Sequence, residues 1–198
     1  MKYGRRWLWL LVFGAGQALA QVPSPSPLEA VRSSNERVQA ILKNRDTIAG
    51  PVKSDLYGVI EEATDFETIS RRVIESFCKK LSAADCAEFD RTFRSLLRAS
   101  SLRKLGRYRA DRFDYLGEDI KGETAIVRTV AFYKEESVRL DYLLERPRGR
   151  WVIVNYVVDD VDTVRNYRKQ FLRLFAKSDF RGVIERLKAK IAEIEAER

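Results

Sequence analysis

Three carboxylates stand almost side by side at Asp159, Asp160 and Asp162. Such a cluster offers oxygen ligands to a hard cation. A solvated turn followed by a helix cap accounts for the same three residues, so no metal site is expected. Acid–base catalysis has little to work with. The chain contains no His, shows no nucleophile elbow and carries no phosphate-cradling glycine loop. Asp141 and Asp159 remain as lone acids that a pocket enzyme could use, without a His partner. Glu135 and Glu136 read as a solvated hairpin turn. The two cysteines, Cys78 and Cys86, lie eight positions apart, in a spacing that matches no zinc pattern. Their open chemistries are a disulfide, which an oxidising compartment favours, or two inert buried thiols. The expectation is a disulfide joining the ends of two successive helices.

The N-terminus bears on that compartment. Lys2, Arg5 and Arg6 precede an apolar run, Trp7–Phe13, and Ala18-Leu19-Ala20 supplies a small-x-small cleavage site. This pattern predicts a secretory signal peptide over 1–20; the apolar run is too short to span a bilayer. No Cys follows the cleavage site, which argues against a lipid-anchored form. The chain carries a net +8, and removing those three cations leaves +5. On an exported protein that charge suits anionic headgroups or an acidic protein surface better than nucleic acid. An evenly solvated basic surface is the plain alternative.

The elements that must position these residues follow from periodicity. Residues 21–27, rich in Pro and Ser, read as an extended tether, and 28–198 as one domain. The first half is helical. Val31, Val38, Ile41 and Leu42 form one stripe; Leu56, Val59 and Ile60 form a second, after Pro51 at a helix start. Asp65 caps a third helix with Phe66, Ile69, Val73, Ile74 and Phe77 on one side. Ser82 opens a long helix carrying Phe89, Phe93, Leu96 and Leu97 and ending by Gly106. The period then changes. Tyr108–Leu116, Thr124–Lys134, Ser137–Arg146 and Arg150–Val158 read as four strands, parted by turns at Gly117–Gly122 and Pro147-Arg148-Gly149. Connections this short imply an antiparallel meander. On the third strand Val138, Leu140, Tyr142 and Leu144 share one face. On the second, Ala125, Val127, Thr129 and Ala131 do so, and these small residues would leave volume unfilled if they point inward.

The stretch Trp151–Phe175 joins both halves. A buried strand, Trp151–Val158, hands over at Asp159-Asp160 to a helix capped by Asp162. Val164, Tyr167, Phe171, Leu174 and Phe175 make its apolar stripe. Within it, Asn166, Tyr167, Arg168, Gln170 and Phe171 spell N-Y-R-x-Q-F, and the whole stretch resembles the signature of the MlaC family, periplasmic phospholipid-binding proteins of an ABC lipid-transport system. Asp65-Phe66 and Phe93-x-x-Leu96-Leu97 extend the resemblance over roughly Leu28 to Leu187. The departures are Asn155 for the usual Asp, Asp160 for Gly, Asp162 for Ser, and Phe77-Cys78-Lys79-Lys80 where the family shows G-x-x-W. Asp tolerates left-handed turns and caps as Ser does, so the turn is expected to survive.

The resemblance implies an α+β fold, NTF2-like or cystatin-like, with a four-stranded antiparallel sheet packed against several helices around an apolar lipid pocket. It implies a non-catalytic, monomeric, periplasmic carrier without a cofactor. Its partners would be phospholipid acyl chains, an inner-membrane MCE-domain protein of an ABC transporter and an outer-membrane lipoprotein complex. Positions on apolar faces nominate Phe93, Leu97, Val127, Leu140, Tyr142, Ile153, Tyr167 and Phe171 as lipid-binding residues. Arg165 and Arg168 are nominated for contact with a headgroup or partner. For Arg168 a tie to a carbonyl or carboxylate at the rim, or a solvated face, stays open. The competing functions are a carrier of another hydrophobic molecule such as a hopanoid, an NTF2-like enzyme, and an adaptor without cargo.

Overall fold

The computed structural model describes residues 24–43, 45, 47–107 and 109–196. The expected signal peptide lies outside them. Four helices come first: α1 (Pro27–Leu42), α2 (Gly50–Ala63), α3 (Phe66–Cys78) and α4 (Ala83–Arg107). An antiparallel sheet follows in the order β1-β2-β3-β4-β5, made of β1 (Arg112–Lys121), β2 (Thr124–Tyr133), β3 (Glu136–Glu145), β4 (Val152–Val158) and β5 (Val161–Asp162). Two helices, α5 (Thr163–Phe175) and α6 (Phe180–Ala196), close the fold. It is the α+β arrangement of helices on one meander, with a short fifth strand beyond the four expected. Among the described residues no helix is long and apolar enough to cross a membrane.

Local chemistry sets the boundaries. Ser26 Oγ accepts from Glu29 N–H while the Glu29 carboxylate takes the Ser26 N–H, a reciprocal capping box. Pro27 is therefore the first residue of α1, one earlier than its apolar stripe indicates. Asp65 accepts from Thr68 N–H at the start of α3, and Ser82 Oγ from Asp85 N–H at the start of α4.

The strand ends differ most from expectation at β1. Helix α4 runs on to Arg107, so β1 begins at Arg112 rather than Tyr108. It then continues through Gly117 to Lys121, because Gly117, at φ +131°, absorbs a bulge after Tyr115. The turn shrinks to Gly122-Glu123, between the paired residues Lys121 and Thr124. A pair of left-handed residues, Asp159 (φ 45°) and Asp160 (φ 63°), forms the two-residue turn between β4 and β5. Two positive φ values match the right-handed twist of the flanking strands, so Asp160 takes a conformation for which Gly is the easier choice.

That turn delivers Asp162 to the head of α5, where its carboxylate accepts from Arg165 N–H at 2.8 Å. Asn155, buried on β4, completes the cap. Its amide N–H donates to Asp162 Oδ2 at 3.0 Å, and its Oδ1 accepts from Val164 N–H at 3.2 Å. The pair thus keeps one carboxylate and one donor across the strand–helix junction. Asp159 is engaged too, accepting from Arg139 N–H at 2.9 Å, and Asp160 pairs with the Arg139 guanidinium. The three clustered carboxylates are a turn and a cap.

Two clusters fill the core. One is aromatic and lies among the helices, built on Phe89, Phe93 and Phe171 with Phe77 and Phe175 packed against them. Beside it Cys78, at the end of α3, is bonded to Cys86 in the first turn of α4. The other joins Val31 of α1 to the inner face of the sheet through Ala125, Val127, Tyr142, Leu144, Trp151 and Ile153.

Candidate lipid-binding cavity

Between those clusters the helices and the sheet do not meet. A cavity of about 960 Å³ separates them. Its sheet wall is the inner face of β2, β3 and β4, where Ala131, Val138, Leu140, Tyr142, Ile153, Tyr156 and Val158 face inward. Its helical wall takes Val38 and Leu42 from α1, Val59, Ile60 and Ala63 from α2, Phe66 and Ile69 from α3, Leu97 and Leu105 from α4, and Tyr167 from α5. Small residues help to keep it open. Ala131 presents a methyl group where a larger strand residue would fill the gap, and Ala63 does the same at the end of α2.

The polar groups inside are paired with one another. Thr64 Oγ1 and the Tyr156 hydroxyl lie 2.7 Å apart. The Tyr142 hydroxyl donates to Asn35 Oδ1 at 3.2 Å, and Asn35 Nδ2 donates to the Tyr115 hydroxyl at 3.3 Å. The Tyr167 hydroxyl bonds to Ser100. Burial pushes the Tyr156 phenol up to about 12, and raises Tyr142 and Tyr167 as well. These phenols stay neutral at physiological pH, so the interior carries paired hydroxyls and no charge. Such a chamber holds an apolar guest without desolvating an unpaired polar atom.

The mouth is different. Lys43, at the end of α1, and Lys104, in the last turns of α4, are exposed and line the cavity with Arg109. Asp111, Glu136 and Asp159 line it from the sheet side. Desolvation, and then the Arg103 charge beside it, holds the Lys104 ammonium below the usual lysine range.

Five of the eight nominated lipid-binding residues line this cavity: Leu97, Leu140, Tyr142, Ile153 and Tyr167. Phe93, Phe171 and Val127 do not. Phe93 and Phe171 sit in the aromatic cluster with ring centroids 5.0 Å apart, and Val127 is packed under α1 with Val31. Arg165 and Arg168 also lie outside the lining. The Arg165 side chain is exposed, and Arg168 donates Nε and Nη2 to the Arg72 carbonyl, tying α5 to α3. Sequence reasoning passed over the contribution of α2 and of the α1 end to the wall, since a stripe facing a void and a stripe facing a core have the same period.

The comparisons with known proteins agree with this fold. A solved structure of a phospholipid-binding protein from Ralstonia solanacearum, in complex with a phospholipid, superposes with a TM-score of 0.72 at 17% identity, covering 86% of this chain and 99% of that one. At that identity the likeness is one of fold. No curated protein matches the chain. The family profile described as MlaC protein matches residues 32–189, from the second turn of α1 well into α6. The chain belongs to the MlaC family.

Proposed function

We propose that the protein binds a phospholipid by its acyl tails and carries it across the periplasm, between outer-membrane and inner-membrane components of an ABC lipid-transport system. The observation that carries this reading is the mostly apolar cavity of about 960 Å³, whose charged lining residues lie at its mouth. A methylene group occupies roughly the liquid share of a water, about 30 Å³, so the cavity has room for about thirty methylenes. That is the scale of the two tails of one diacyl lipid. Each methylene left in water costs about 0.8 kcal/mol, and an apolar chamber removes most of that penalty. Membership of the MlaC family supports the reading, as does the phospholipid held by the Ralstonia protein of the same fold. Asp159 accepts from Arg139 N–H at the cavity mouth, and Asp141 sits on the opposite face of β3 from the cavity-lining Leu140 and Tyr142, placements that favour binding over acid–base chemistry.

The role as a shuttle further requires export, an MCE-domain acceptor or donor in the inner membrane and a lipoprotein complex in the outer membrane. Denaturing extraction and mass spectrometry of protein purified from its host should yield close to one phospholipid per chain. A native preparation free of lipid would sink the carrier reading. Transfer of labelled lipid to the purified MCE-domain protein then tests the shuttle.

A further inference from the structure

The charges around the cavity mouth are segregated. The carboxylates belong to the sheet side, and two have backbone partners: Asp111 accepts from Lys134 N–H at 2.8 Å and Asp159 from Arg139 N–H. The cations belong to the helix side. Gln39, one turn before Lys43, donates to the Ala110 carbonyl at 3.0 Å, and Arg109 donates to the Arg45 carbonyl. These bonds hold the end of α1 against the segment that leaves α4, and Lys43 and Lys104 both line the same opening. Among the described residues neither lysine has an ion-pair partner. The partial negative charge at a helix C-terminus favours a cation at either place, and that accounts for a lysine on each helix. It does not account for two exposed lysines at the opening of an apolar chamber that have no ion-pair partner among the described residues. At Lys104 desolvation and the nearby Arg103 both disfavour the charged form.

We infer that Lys43 and Lys104 form a binding site for the phosphate of the glycerolipid whose tails fill the cavity. This rests on the carrier reading, because buried tails leave the phosphate at the mouth. An anion there offsets the desolvation of Lys104, and lysine meets phosphate as a compact point charge.

The test loads the lipid-free protein from mixed micelles with phosphatidylglycerol or with diacylglycerol of identical tails, each quantified by mass spectrometry. The wild type should prefer phosphatidylglycerol by about tenfold at low salt, with the preference shrinking as salt screens the two lysines. Lys43→Gln with Lys104→Gln should reduce it to about twofold or less while diacylglycerol loading stays unchanged. Lys43→Arg with Lys104→Arg should keep it. A glutamine variant that retains the full preference overturns the inference, as does a wild type with none. Calorimetry of the lipid-free protein with inorganic phosphate separates the sources. Tight phosphate binding that the glutamine variant loses would reassign the pair to free phosphate and overturn the lipid assignment. If neither lipid loads, the carrier reading itself has failed.

Discussion

Helices α4 and α5 each pass through two surroundings. At one end Phe93 and Phe171 meet edge to face, with Phe89 against both. One turn away on the same stripes, Leu97 and Tyr167 face the open cavity. Phe93 is 0% exposed and Leu97 5%, so burial does not distinguish the two. What differs is the far side. Phe93 has protein atoms all round, whereas Leu97 has protein behind it and a void in front. Tyr167 marks the boundary, its ring 5.0 Å from Phe93 and its body on the cavity. The solid end supplies the stability that lets the hollow end stay open.

The sharpest way to break this comparison is to cut into the solid end. Phe171→Ala removes the ring on which Phe77, Phe89, Phe93 and Tyr167 all converge. It should cost about 3–5 kcal/mol in denaturant unfolding. A variant of wild-type stability that had lost its lipid would place Phe171 on the cavity wall instead. The disulfide braces the same end. Replacing Cys78 and Cys86 together by Ala should cost on the order of 2.5 kcal/mol in the chain-entropy account. Thiol titration of denatured, unreduced wild type should find no reactive thiol, and the folded fraction of the variant should hold wild-type amounts of lipid.

How much of this was legible beforehand divides along the same line. The caps at Asp65, Ser82 and Asp162 were readable because each is a local bond to its own helix. The inward face of β3 was readable from strict alternation. The β1 boundaries were not, because a glycine bulge lets the strand run through a turn signal. Nor was the division of the α4 and α5 stripes into core and wall. Phe171 and Tyr167 sit on one stripe, and only the placement of α3 and the sheet decides which meets a ring and which meets a void. Ala131 gave a faint signal, a small residue on an inward face, but its direction depends on tertiary packing.

A smaller effect tests the joint between the ends. Arg168 carries two N–H groups to the Arg72 carbonyl on an exposed surface. Arg168→Ala should cost about 1 kcal/mol, the usual net worth of an intramolecular hydrogen bond, and leave lipid occupancy intact, since Arg168 does not line the cavity. Loss of lipid transfer at unchanged stability would instead give the guanidinium a partner or headgroup role.

The smallest effect on stability should come from the largest insertion. Leu140 lies on β3 opposite Thr129 and Val158 and points into the cavity. Leu140→Trp adds an indole at that wall. In a filled core such an insertion forces neighbours off their rotamers and costs about 1–3 kcal/mol. Here the ring has a void to enter, and burying it contributes apolar area in place of the cost. Stability should change by less than about 1 kcal/mol, while the volume left for acyl tails falls and less phospholipid co-purifies. Both quantities must be read on one preparation, because each alone is ambiguous. A sharp loss of stability would show Leu140 packed as Phe171 is, and would erase the distinction between the two ends. Unchanged stability with unchanged lipid would show that the tails lie elsewhere.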